Sequence, residues 1–155
     1  MIYLLDTDSI IFMIRGLKQS VRDLDLRERA VRLMERCRAV ISEGHSIGVS
    51  AITVAELEYG VRRGGRYREE MLAVEKICTP FEAFAFDAVW CPSHFGRLHR
   101  ELELIGQPIG TMDSLIAAQA LSVTAVLVTN NVSHFQRVPG LVVENWYDDH
   151  NGPVG

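Results

Sequence analysis

IYLLDTDS, residues 2–9, joins four apolar residues, Ile2 to Leu5, directly to acid at Asp6 and Asp8. A short continuous apolar run reads as a strand covered on both faces, as in a parallel sheet. Ligands of open α/β sheets bind beyond the carboxyl ends of the strands. A carboxylate at that edge is poised for a cation. Two more acids stand in apolar segments far along the chain, Glu56 in VSAITVAELEYG (49–60) and Asp113 in IGTMDSLIAAQAL (109–121). Two unit charges about 4 Å apart cost roughly 4 kcal/mol at an effective dielectric near 20. Three acids gathered at one sheet edge therefore imply a bound cation or raised pKa values.

Beyond this stretch, strands and helices alternate along the chain. A strand over 2–5 leads into a short helix ending near Arg15, and Gly16 to Asp25 reads as a turn region. LDLRERAVRLMERCRAVISEG is the clearest helix, with Ala30, Leu33, Met34, Cys37, Val40 and Ile41 on one face and Gly44 as its stop. A strand over 46–49 precedes a helix over 51–61 that Ser50 is placed to cap. Tyr67 to Ile77 is amphipathic, and residues 83–86 make a short strand. Asp87 is placed to cap a helix that reaches about Ile105 with a bend near Pro92, and Thr111 to cap one over 112–121. Strands over 125–128 and 141–143 close the series. Such alternation indicates βαβ units and a largely parallel sheet. Asn131 follows the 125–128 strand much as Asp6 follows the first.

The chain has 155 residues, 48% of them hydrophobic, with a formal net charge of −4. That length suits one domain, over 1–147 with a short tail at 148–155. No apolar run is long enough for a membrane span. Asp6 and Asp8 interrupt the apolar start and no basic region precedes it, so a signal peptide is not expected. Cys37, Cys78 and Cys91 fit neither a zinc pattern nor a disulfide framework and read as free thiols in a reducing cytoplasm. The net charge does not advertise a nucleic-acid binder. The basic residues are nevertheless fourteen arginines against only Lys18 and Lys76, and arginine forks suit phosphate. Arg62, Arg63, Arg66 and Arg68 are the densest basic stretch; a solvated helix end or a dimer rim explains them equally well.

An all-oxygen set of carboxylates with an amide suits Mg²⁺ or Mn²⁺. Each acid also has a plainer reading. Asp8 serves as a helix cap, Glu56 as a solvated residue like Glu58, and Asp113 as a first-turn acid favoured by the helix dipole. Ser114 is an auxiliary candidate whose plainer role is helical. Among the histidines, His94 and His99 are badly spaced to share a helix face, and His134 lies near the site as a polar loop residue.

YLLDTDSIIF, SAITVAELEYGVRRG, LHRELELIGQPIGTMDSLIAAQAL and LVTNNVSHFQRVPGLVVENW together resemble the PIN-domain ribonucleases, most closely the VapC toxins of type II toxin–antitoxin pairs. The resemblance implies a three-layer α/β/α fold with a central, mostly parallel sheet. It implies Mg²⁺-dependent endoribonuclease activity, with Mn²⁺ able to substitute, that leaves a 5′-phosphate and a 3′-hydroxyl. By motif, Asp6, Glu56 and Asp113 match the family's three main acids and are expected to hold the metal. Asn131 falls where many relatives have a fourth acid, and Asp8 where they often have Asn. The resemblance further implies a VapB-type antitoxin, an RNA substrate (transfer RNA being one class), a homodimer and a cytoplasmic location.

Two rival readings differ in chemistry. Asp6-Thr7-Asp8 also resembles the first motif of haloacid-dehalogenase-type phosphatases, with Asp6 as a covalent nucleophile. That family's lysine and late acidic pair have no counterpart here, since LVTNNVSHF offers amides. The other rival is a catalytically inactive PIN-like interaction module, supported only by Asn131.

Overall fold

A computed structural model describes residues 1–148; from residue 149 on, the expected tail lies outside the described residues. The elements are β1 (Ile2–Leu5), α1 (Thr7–Gly16), α2 (Leu24–Ser42), β2 (Ser46–Ser50), α3 (Ala51–Arg63), α4 (Tyr67–Cys78), β3 (Glu82–Phe84), α5 (Trp90–Leu104), α6 (Thr111–Ser122), β4 (Val126–Val128), α7 (Val132–Phe135) and β5 (Val142–Glu144). The strands lie in the order β3-β2-β1-β4-β5, and every pairing among them is parallel. β1 is central, with Leu5 opposite Val49 on one side and Val128 on the other.

Alternate side chains of β1 serve opposite cores. Tyr3 and Leu5 join Ile10, Met13, Leu33, Cys37 and Leu57, whereas Leu4 joins Leu98, Leu102, Ile116, Leu127 and Phe135. Helices therefore cover both faces, the expected three-layer α/β/α arrangement. Each such leucine, fully buried, contributes about 1.5–3 kcal/mol. Gly16 lets α1 and α2 touch: a Cβ there would stand 2.3 Å from the Cβ of Ala30.

Several local expectations change. Asp6, not Asp8, caps α1, its side chain accepting from the Ser9 N–H. Gly110, at φ 88°, occupies the position before α6, and Thr111 is the first helical residue. A positive φ is free of strain for glycine and strained for a β-branched residue such as threonine. Asp87 does serve the start of α5, accepting from the N–H groups of Val89 and Trp90. Pro92 falls in that helix's first turn, where its missing N–H has no helical partner to lose, so α5 begins there instead of bending. The one-turn α7 is too short to show a period. Cys37 and Cys91 are buried, Cys78 is half-buried and all three are free. Among the described residues no helix is long and apolar enough to cross a membrane.

Candidate active site

The carboxyl end of β1 meets the N-terminal ends of α1 and α6 and one side of α3. Between them lies a cavity of about 440 Å³ lined by Asp6, Thr7, Asp8, Ile11, Ala55, Glu56, Tyr59, Met112, Asp113 and Phe135. The three acids expected to meet thus line one space, although 50 and 57 residues separate them in turn, and Asp8 joins them. They line the cavity without already converging: among the described residues no three acidic, histidine or cysteine side chains form a ready metal cluster.

Asp6 is 4% exposed. Its Oδ1 accepts from the Ser9 N–H at 2.8 Å and the Ser9 hydroxyl at 2.5 Å, and its Oδ2 accepts from the Thr129 hydroxyl. Behind Thr129, the Asn131 N–H donates to Oγ1 at 2.9 Å. Behind Ser9 stands the fully buried Tyr147, its hydroxyl 2.9 Å from the Ser9 oxygen. Burial pushes the Asp6 carboxyl up to about 6 from its usual 3.8; the Ser9 and Thr129 hydrogen bonds oppose that rise and the Asp8 charge adds to it.

Glu56 is half-buried and accepts from the Thr7 hydroxyl, so it is not a freely solvated twin of Glu58. Glu58 instead pairs with Arg62 at 2.7 Å. Asp113 sits in the first turn of α6. Burial raises its pKa; His134 opposes this, and the charges of Glu56 and Asp8 reinforce it. The Nδ1 of His134 is buried without a hydrogen-bond partner and lies 3.6 Å from an Asp113 oxygen, near the acids as expected, but on α7 and not in a loop.

Asn131 and Ser114 lie outside this lining. Asn131 borders an adjoining hollow with Asp8, Phe12, Asn130 and Tyr147, so only Asp8 is common to both spaces. The Ser114 hydroxyl is buried, donating to the Gly110 carbonyl and facing the His99 ring at 2.9 Å, which supports its helical role. Sequence reasoning missed Thr7, Ser9, Thr129 and Tyr147. Thr129 carried a signal, a polar residue directly after an apolar strand, but its meeting with Asp6 depends on β4 lying beside β1.

The donors available to a metal are hard carboxylate oxygens, and burial above all disfavours the charged forms of Asp6 and Asp113. A divalent cation relieves that cost, and Mg²⁺ commonly keeps several waters while taking one or two carboxylates directly. An uncollapsed ring of acids fits such an ion.

A five-stranded parallel sheet with helices on both faces and an acidic cavity at its carboxyl edge defines a class. The chain belongs to the PIN-domain family, which matches residues 3–141. It is 33% identical over 147 residues to the ribonuclease VapC2 of Rickettsia felis, covering 94% of this chain and 98% of that protein. It is 30% identical to the tRNA(fMet)-specific endonuclease VapC of Shigella flexneri, covering 93% and 97%. In three dimensions it resembles the crystal structure of VapBC2 from Rickettsia felis bound to a promoter DNA fragment, with a TM-score of 0.80, 32% identity and coverage of 94% and 99%. A DNA-bound VapBC structure from Salmonella typhimurium follows with a TM-score of 0.77 at 30% identity, covering 93% and 97%. PIN-domain ribonucleases are metal-dependent.

Proposed function

We propose that this chain is a Mg²⁺-dependent endoribonuclease, the toxin of a VapC-type toxin–antitoxin pair, with residues 1–147 as the nuclease unit. The observation that carries the reading is one cavity lined by Asp6, Glu56 and Asp113 in a chain that matches VapC ribonucleases over 93–94% of its residues. Neither rival is favoured by these relatives. A VapB-type antitoxin is the natural partner, since the structural relatives are VapBC complexes. An RNA substrate and a cytoplasmic location go with the same reading.

Asp6 and Asp113 would hold the cation directly and Glu56 would hold it through a water, with Asp8 adding charge at the rim; Mn²⁺ offers the same hard, divalent chemistry. Such an ion supplies Lewis acidity, offsetting phosphate charge and making water a better nucleophile. Ser9 and Thr129 hold both oxygens of Asp6. The Thr7 hydroxyl holds Oε2 of Glu56, leaving Oε1 as an acceptor that orients the attacking water. Asn131, expected at the site through its side chain, lies outside the cavity of the three acids; its N–H plays a positioning part by holding the Thr129 hydroxyl that holds Asp6.

Asp6→Asn and Asp113→Asn should each abolish RNA cleavage while the purified proteins remain folded. Chelator should stop the wild type, and Mg²⁺ or Mn²⁺ should restore it. Water as nucleophile also predicts cleavage of an RNA carrying a 2′-deoxy sugar at the scissile position. Full activity in either folded acid variant rules the mechanism out.

A further inference from the structure

We propose that Tyr147 is a positioning residue for the Asp6 carboxylate, acting through Ser9. This rests on the reading of Asp6 as a cation-holding group. Tyr147 follows β5 and lies beyond residues 3–141, the part of the chain that the family matches. It is 1% exposed. Phe12 of α1 packs edge-on against its ring at 4.7 Å, and the Asn145 side chain accepts from its N–H. These contacts aim the hydroxyl at the Ser9 oxygen, 2.9 Å away.

Hydrogen counting gives the chain of bonds a direction. An ionised carboxylate only accepts, and a serine hydroxyl owns one hydrogen. The Ser9 hydrogen goes to Asp6 Oδ1 at 2.5 Å, with the Val128 carbonyl a more distant alternative at 3.3 Å. The Ser9 oxygen must then accept from Tyr147. Each bond polarises the next, so removing the outer donor weakens the inner one. Thr129 with the Asn131 N–H behind it does the same for Oδ2. Both oxygens of Asp6 are thereby fixed before any cation arrives. A tyrosine kept only to fill space would need no hydroxyl here.

The test compares wild type, Tyr147→Phe, Ser9→Ala and the double variant. Phenylalanine keeps the ring, and circular dichroism checks the fold. Losing a group that orients a metal ligand commonly costs about 10–100-fold in metal affinity or activity. Ser9→Ala should fall in that range, and Tyr147→Phe, one bond further out, should weaken Mn²⁺ binding by about three- to tenfold. Tyr147→Phe should also lower kcat while leaving KM for RNA unchanged. In the Ser9→Ala background it should add nothing, because the path is already cut. Mn²⁺ binding within twofold of wild type, or a double variant losing the product of both effects, overturns the proposal. A wild type that binds no Mn²⁺ refutes the metal reading instead. The proposal is then decided by the Asp6 carboxyl ¹³C shift in metal-free protein at pH 8: Tyr147→Phe moves it if the relay exists, and an unmoved shift ends it.

Discussion

Without metal, Asp6→Asn should make this protein more stable at neutral pH, not less. The Asp6 carboxyl has its pKa raised to about 6 by burial, against 3.8 ordinarily. A carboxyl with a higher pKa folded than unfolded binds its proton more tightly in the native state. Stability is then greatest below about 3.8, falls as pH rises from there to about 6, and stays at the lower level above. At about 1.4 kcal/mol for each pH unit, the penalty at pH 8 is about 3 kcal/mol. Asparagine removes the charge and keeps an oxygen for Ser9. It puts an amide where Oδ2 accepts from Thr129, which costs about 1 kcal/mol. The balance is a gain of about 2 kcal/mol at pH 8, or about 4–8 °C in Tm for a chain of this size. At pH 4 the gain should vanish and turn into a loss of about 1 kcal/mol. Saturating Mg²⁺ should reverse the order again at pH 8, since a ligand at a hundred times its Kd adds about 2.7 kcal/mol to the form that binds it. Thermal melts of both proteins, in chelator and in Mg²⁺, at pH 4 and pH 8, provide the measurement. An Asp6→Asn variant less stable than wild type in chelator at pH 8, or a gap that ignores pH, refutes the reasoning.

Arg63→Ala should flatten the salt dependence of RNA binding by about one unit of slope if the guanidinium meets a phosphate. Arg62→Ala should leave the slope alone, because Arg62 is already paired with Glu58 and stacked on Tyr67; the reverse pattern would move the RNA path elsewhere. Asn131→Asp adds an acid to the hollow that Asp8 also lines. Calorimetry should show tighter Mn²⁺ binding or a second bound ion, and identical titrations would separate residue 131 from the metal. Gly16→Ala forces a Cβ to within 2.3 Å of Ala30 and should cost about 1–3 kcal/mol by urea unfolding; an unchanged midpoint would show that α1 and α2 can part freely.

Apart from the one-turn α7, the helices and strands were legible because their patterns are local. β1 and β4 are apolar runs, and α2 repeats its apolar face with the helical period. Asp6 stood out by contrast with its strand, and Glu56 and Asp113 by lying in apolar segments. Thr129 and Tyr147 were not legible because their bonds to Asp6 and Ser9 join residues 123 and 138 apart, and Ser9, only three residues from Asp6, looked like any first-turn serine. A serine in a first turn, a threonine after a strand and a tyrosine near a terminus are ordinary taken singly. The capping expectations failed where two acids or two small residues competed within a turn: Asp6 over Asp8, and Gly110 over Thr111. In the first case the structure gave one side chain two duties, ending the approach to α1 and facing the cavity.

That double duty follows from the topology. The chain leaves β1 toward β2 and β3 on one side, then returns to build β4 and β5 on the other. β1 is therefore bordered by strands reached in opposite directions, and the carboxyl ends of β1 and β4 part their connections there, leaving a crevice of the kind in which α/β proteins bind ligands. Asp6 and Thr129 are the first residues past those two ends, and they meet across the crevice. The register that places Leu5 opposite Val128 makes the meeting unavoidable. Slipping β4 by one residue would turn its alternate side chains into the wrong core and remove a donor from Asp6 together. Packing energy thus enforces the geometry of the acid site.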